Sequence, residues 1–346
     1  STYDANFIQG LRAAQKAFNM KDEQIIIVTG IDENSTCYDT AVDLAGNKNC
    51  SIIFADSFGH EPFLLQAAKE YPNVQFAHAT GVNSLSSNLD NFHNAFASIY
   101  EGRYLAGVSA GMKLNEMINN GQIKAEEAII GYVGAFTYAE VVSGMTSFYL
   151  GARSVCPSAT MKVRYTGSWY DQAKEQEAAT ALIENDKAVL ISQHADSLGA
   201  PTACELLGVP NVSYNGSTYC AGETTFIMSS AINWAPYFEY MIKSVVEGNN
   251  FDTDWCGDIQ YNSVVLSGVN LDVVADGTLD KINEAIKGFE NKTLKVFSTD
   301  TWTLDGQTLD SYMLDTDGDK VADTNVIHDG YFDESNPSLF RSAPYF

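Results

Sequence analysis

The sequence predicts an α/β protein of two doubly wound parallel-sheet lobes joined by a hinge. Three observations carry that reading. Short apolar runs alternate with amphipathic stretches of helical length, the alternation passes through two successive series, and 346 residues exceed one ordinary domain.

The chain opens with Ser1-Thr2-Tyr3-Asp4-Ala5-Asn6-Phe7, a loop running straight into a helix. A parallel α/β lobe ordinarily starts with a strand, so the numbering is expected to begin after a leader and a first strand. Apolar runs at 25–28, 52–54 and 74–76 read as buried strands. Between the last two, a helix over 62–71 places Leu64, Leu65 and Ala68 on one face. A long helix is expected over 91–119, where Gly102, Ala106, Gly107, Ala110 and Gly111 would permit close packing against a sheet.

The second series supplies strands at 128–133, 161–165, 188–191 and 209–213, with helices at 139–151, 171–184 and 198–207. Strand–helix–strand spacing of this kind makes right-handed parallel units. A third section, 234–298, adds a helix at 237–248, a strand near 263–266, a helix at 276–289 and a strand at 294–297. It reads as material that completes both sheets. The expected organisation is a first lobe from 1–125 with about 249–298, a second lobe from 126–248, and a wrapping extension over 299–346.

Apolar residues make up 45% of the chain and aromatic residues 12%, enough for well-filled cores. The formal net charge of −24 repels phosphate backbones and anionic headgroups, which argues against nucleic acid and against direct membrane binding. No apolar run is long enough to span a bilayer. Six cysteines show no metal-ligand spacing, and free thiols are expected, with a Cys204–Cys220 pair the conceivable exception.

Ligands of doubly wound sheets bind beyond the carboxyl ends of the strands. Two segments stand there. Arg164-Tyr165-Thr166-Gly167-Ser168-Trp169-Tyr170-Asp171 ends a strand, turns on Gly167 and enters a helix. Trp169 then either offers a stacking face to a flat ligand or plugs the loop against its own lobe. Gln193-His194-Ala195-Asp196-Ser197 follows another strand, so His194 and Asp196 can point into the cleft, or Asp196 and Ser197 can cap the next helix. Asn215-Gly216 is either a binding position or a turn. No nucleophile elbow, phosphate loop or HExxH sequence is present, and the five histidines are scattered, so catalysis is not expected. Asp315, Asp317, Asp319 and Asp323 have spacing that resembles a calcium loop without its closing Glu; a structural Ca2+ or an ion-free Asp-rich turn both fit.

Several longer segments carry a family resemblance. They are Phe54-Ala55-Asp56-Ser57-Phe58-Gly59, Tyr71-Pro72-Asn73-Val74-Gln75-Phe76 and Tyr100-Glu101-Gly102-Arg103-Tyr104-Leu105-Ala106-Gly107, followed by Gly167-Ser168-Trp169-Tyr170-Asp171, Gln193-His194-Ala195-Asp196-Ser197 and Asn233-Trp234-Ala235-Pro236-Tyr237. Together they resemble the basic membrane protein family of solute-binding lipoproteins, over nearly the whole chain to about residue 298. The resemblance implies a type I periplasmic-binding (LacI-like) fold with three hinge crossings, a lipid-anchored extracytoplasmic monomer, and an ABC permease as partner.

It also implies a purine base or nucleoside as ligand, with Tyr3 and Trp169 sandwiching the ring. Family positions that grip the ribose through an Asp and a Lys fall here on Asn215 and Asn233, so both charges are gone. That departure favours the free base, adenine for example, with Asp196 as partner for a ring nitrogen or amine. Asp4, Ser57, Phe58, His194 and Trp234 complete the expected set, and no cofactor is required. Two alternatives remain: an ectodomain sensing a riboflavin-like molecule or a sugar, and a nucleoside-acting enzyme.

Overall fold

The computed structural model describes residues 1–315, 321–332 and 334. The first helix, α1 (Thr2–Ala17), is capped by the Ser1 hydroxyl, which accepts from the Asp4 amide and donates to the Asp4 carboxylate. Next come α2 (Ser35–Val42), β1 (Ile52–Ala55), α3 (Glu61–Glu70), β2 (Gln75–Ala79) and β3 (Phe92–Ala97). The chain then crosses into α4 (Ile99–Asn119) and runs through β4 (Ile129–Gly134), α5 (Ala139–Val155), β5 (Thr160–Tyr165), α6 (Gln172–Glu184), β6 (Leu190–His194), α7 (Gly199–Leu207), β7 (Asn211–Tyr214) and β8 (Phe226–Ile232). It returns through α8 (Ala235–Glu247) and β9 (Asp254–Gly257), then crosses a third time to β10 (Val264–Ser267) and α9 (Thr278–Glu290).

Two sheets result. The first has the order β1-β2-β3-β9 and is parallel throughout. The second has the order β10-β8-β7-β6-β4-β5, parallel except at the β10–β8 edge. The three crossings run side by side: the Ser98 amide donates to the Gly257 carbonyl, and the Asn233 amide to the Ser263 carbonyl (each 2.8 Å).

The lobe boundaries differ from those expected from sequence. α4, expected in the first lobe, packs on α5 and β8 of the second. Its glycines decide this: a Cβ on Gly107 would overlap the Phe148 carbonyl oxygen, and Gly151 of α5 stands equally tight against the Tyr104 carbonyl. The two helices therefore touch backbone to backbone. α9 and β10 also join the second lobe, and α8 packs on α1 of the first. The first lobe is thus residues 1–98 with 235–257.

The expected 91–119 helix begins only at Ile99. All six residues of β3 are buried, and a strand buried on both faces shows no alternation to separate it from a buried helix. The 25–28 run joins neither sheet, and Ile26, Ile27 and Val28 are exposed, because an apolar run makes a strand only where a neighbour supplies ladder hydrogen bonds. The 294–297 run is irregular, yet Val296 and Phe297 are buried in the second lobe's core. Beyond residue 298, short hairpins insert Leu309, Val326, Ile327 and Phe332 into that same core, so the extension belongs to the second lobe. All six cysteines are free thiols. No helix among the described residues is long and apolar enough to cross a membrane.

Candidate functional site

A cavity of about 280 Å3 lies between the carboxyl ends of the two sheets. That volume is at the small end of ordinary ligand pockets, roughly 300–1,000 Å3, and suits a compact ring system better than an extended chain.

The first lobe contributes Tyr3 and Asp4 from α1, Ser57 and Phe58 after β1, and Thr80 after β2. Each is fixed from behind. The Tyr3 hydroxyl donates to the Asp56 carbonyl (2.8 Å). Glu33 accepts from the Ser57 hydroxyl (2.6 Å) and the Gly59 amide (2.8 Å). The buried Glu61 accepts from the backbone amides of Val82 (2.9 Å) and Asn83 (2.7 Å), which pins the turn that follows Thr80.

The second lobe contributes Glu140, Trp169, Tyr170, His194, Asp196, Tyr214 and Asn215. Gly167 adopts the left-handed conformation (φ 70°) that turns the chain out of β5 and places Trp169. The Asp196 amide donates to the Trp169 carbonyl (2.9 Å), so the aromatic and acidic loops are tied together. The buried Glu175 holds both from below, accepting from the Asp171 amide (3.2 Å) and the Ser197 amide (3.3 Å). Trp169 itself sits among Phe136 and Tyr138, at centroid distances of 5.0 and 5.8 Å, and borders the cavity. At the rim, Phe58 of the first lobe meets Tyr138 of the second, 5.1 Å between centroids.

Electrostatically the cavity is one-sided. Asp4, Glu140 and Asp196 line it, and among the described residues no lysine or arginine side chain does. Loss of hydration, with Asp4, Glu175 and Glu140 nearby, pushes the Asp196 carboxyl up to about 8; desolvation raises Glu140 to about 7. Burial, with Arg103 nearby, holds His194 well below its ordinary value, and the neutral ring packs at a tilt against Tyr214 (4.1 Å between centroids). Asn215 is only 1% exposed and takes a left-handed φ of 63°. Its amide lies beside Asp196, but neither the oxygen nor the nitrogen makes a full hydrogen bond within the protein. A buried amide without partners is costly, and a ligand in the cavity is where it can find them.

Because the Asp196 carboxyl is raised on folding, the native state holds a proton that the unfolded chain releases near its ordinary carboxylate range. Its stabilising contribution is therefore complete in acid and is lost as pH rises through about 8. Asp196→Asn is expected to raise the ligand-free melting temperature at pH 8 but leave it unchanged at pH 4. An equal shift at both values would show that the carboxyl does not titrate as its surroundings dictate.

Of the residues expected from sequence, Tyr3, Asp4, Ser57, Phe58, Trp169, His194, Asp196 and Asn215 converge on this cavity. Asn233 and Trp234 do not. Asn233 sits at the hinge, donating to the Asn262 carbonyl (2.9 Å) and accepting from the Ala235 amide at the start of α8. Trp234 is 1% exposed and stacks on Phe7 (4.4 Å) in the first lobe's core, under α1. Ser1, Thr80, Glu140, Tyr170 and Tyr214 line the cavity without having been expected. Tyr170 adjoins Trp169 and Tyr214 adjoins Asn215, signals that strand-end position could have supplied. Thr80 and Glu140 carry no local signature. In the Asp-rich segment, Asp317 and Asp319 lie outside the described residues, and Asp315 and Asp323 flank a hairpin that pairs Leu314 with Thr324. No His, Cys, Asp and Glu cluster suited to a metal occurs among the described residues.

The sequence model of a family described as ABC transporter substrate-binding protein, PnrA-like, matches residues 1–298. A purine-binding protein of Brucella abortus is 35% identical over 204 residues, 59% of this chain and 53% of its own. A Haloferax volcanii protein assigned as an ABC transporter glucose-binding protein is also 35% identical, over 207 residues, 60% of this chain and 49% of its own. The chain thus spans about half the length of these curated relatives. Among solved structures, an ABC transporter solute-binding protein from Aeropyrum pernix superposes with a TM-score of 0.70 at 14% identity, covering 87% of this chain and 90% of its own, which attests the two-lobed binding-protein fold.

Proposed function

From a chain that belongs to the Bmp family of PnrA-like ABC transporter substrate-binding proteins, and hence to a family of binders rather than enzymes, we propose a purine-capturing protein that passes its ligand to an ABC permease. The carrying observation is the make-up of the cleft. Tyr3 and Trp169 come from opposite lobes, and Asp196 and the unpartnered Asn215 amide stand in the same cavity. Flat aromatic walls favour a flat guest, and the amide and carboxyl suit a ring edge carrying both donors and acceptors. The small cavity, and the absence of a charged side chain at 215, favour the free base, adenine above all, with the sugar optional. Capture would take place on the extracytoplasmic side, with the protein tethered by a lipid anchor.

The Brucella relative supports the purine reading. The Haloferax relative, equally identical, keeps glucose as the second reading, since aromatic faces and carboxylates also hold sugars. A thermal-shift panel of adenine, guanine, hypoxanthine, adenosine and glucose separates them. Adenine is expected to raise the melting temperature most, through the linkage of binding to folding. A shift with glucose and with none of the purines would transfer the assignment to sugar. Recovery of the bound base chemically unaltered is expected; turnover would overturn the binding role.

A further inference from the structure

Glu140 is the least explained group in the cleft. It lies in the first turn of α5, and its two carboxyl oxygens face opposite lobes: one is 3.4 Å from the Tyr214 hydroxyl, the other 3.4 Å from the Thr80 hydroxyl of the first lobe. Both separations exceed the usual ~2.7–2.8 Å of a hydroxyl bond, so the carboxyl remains under-engaged. Asp196 repeats the situation, with only the Asn215 amide beside it. Neither has a cationic side-chain partner among the described residues. The buried Arg103 lies under the Tyr214 ring at 5.2 Å, and its two terminal nitrogens donate to the Ser213 and Gln193 carbonyls and the Tyr132, Ser192 and Ser230 hydroxyls. The charged or titratable neighbours of the pair are Asp4 and Asp56 from the first lobe, Glu175 from beneath, Tyr3 and Tyr214, and the neutral His194. A third lobe-spanning contact, from the Asn6 amide to the Asn215 carbonyl (2.8 Å), adds no charge.

We propose that Glu140 is a specificity-determining residue which, with Asp196, confines the cleft to uncharged heterocycles bearing N–H donors and excludes their phosphorylated or anionic counterparts. This rests on the purine reading for the choice of ligand, though not for the exclusion of anions. The chemistry follows from the two forms of a carboxyl. Protonated, it offers an O–H beside a C=O and matches a ring nitrogen next to an amine, the edge that adenine presents. Ionised, it offers acceptors only and needs two N–H groups side by side, which guanine supplies. Neither form favours a phosphate, because among the described residues the cavity holds no side-chain cation to offset the added charge. The raised carboxyls of Asp196 and Glu140 put the changeover near neutrality.

Calorimetry with adenine, guanine and adenosine monophosphate at pH 6 and pH 9 tests the proposal. Adenine affinity is expected to fall at least about tenfold between the two values, as the competent protonated fraction declines, and guanine affinity, which uses the ionised form, is expected to rise relative to it. The monophosphate is expected to bind at least about a hundredfold more weakly than adenine at both. Glu140→Gln keeps a donor beside an acceptor but cannot ionise, so the fall in adenine affinity between pH 6 and pH 9 should be smaller than in the parent, with Asp196 the carboxyl that still titrates. Monophosphate binding as tight as that of adenine, or a Glu140→Gln profile identical to the parent's, would overturn the proposal. If no purine binds and glucose does, the cargo assignment fails by itself. The heterocycle part of the proposal fails with it, and the exclusion of anions is then decided by glucose against glucose 6-phosphate, with rejection of the phosphate expected in the parent. Ligand-free melting curves of Glu140→Gln and Glu140→Ala establish that both fold, and the Gln variant should lose less stability than the parent between pH 5 and pH 9.

Discussion

Replacing Trp169 with alanine is expected to weaken adenine binding by roughly 5–150-fold, the equivalent of ~1–3 kcal/mol for one stacked face. Trp169 is the large aromatic that the second lobe presents to the cavity, and its position is set by the Gly167 turn and by the backbone bond from Asp196. Its neighbours Phe136 and Tyr138 pack against it and would not slide across to replace it without breaking their own stack, 5.0 Å between centroids. The loop is held by backbone bonds rather than by the indole, so the variant should fold normally. Trp169→Phe should recover most of the loss, because a smaller face still stacks. Calorimetry reads both variants, and an unchanged affinity in Trp169→Ala would remove the stacking arrangement.

Gly107→Val should strongly destabilise the second lobe. The substituted Cβ would overlap the Phe148 carbonyl oxygen, which is helix backbone and cannot rotate away as a side chain can. α4 and α5 would have to separate, and with them the core that contains Leu105, Val108 and Phe148. Overpacking of this kind destabilises by roughly 3 kcal/mol, a fall of roughly 6–12 °C in melting temperature. Gly121 is the control. It has a left-handed φ of 69° and nothing within 4 Å, so Gly121→Ala should lose only ~1 kcal/mol from backbone strain. Thermal melts of the two variants decide the matter, and equal losses would show that the helix contact is not the tight one described.

Much of the site was legible because doubly wound sheets place ligands at strand ends. A residue just beyond an apolar run is therefore a candidate before any coordinate is known. Trp169, His194, Asp196 and Asn215 were found that way, as were Ser57 and Phe58 beyond β1. Asn233 and Trp234 satisfy the same rule and fail it. They follow β8, but the chain there crosses between lobes, and the crossing directs Trp234 into the core beneath α1. Glu140 stood outside the rule's reach. An acidic residue in a first helical turn is ordinarily read as a partner of the helix dipole.

Local sequence determined the alternation of strands and helices, the two-lobed class, and the aromatic and acidic ends of the second lobe. These depend on periodicity, turn chemistry and caps, which act over a few residues. Tertiary structure alone decided three things. It assigned α4 to the second lobe, because only there does a neighbouring helix approach closely enough to require Gly107 and Gly151. It left 25–28 outside both sheets, because a strand exists only through a partner's hydrogen bonds. And it set Glu140 opposite Thr80, residues 60 positions apart in different lobes, where loss of hydration raises the carboxyl.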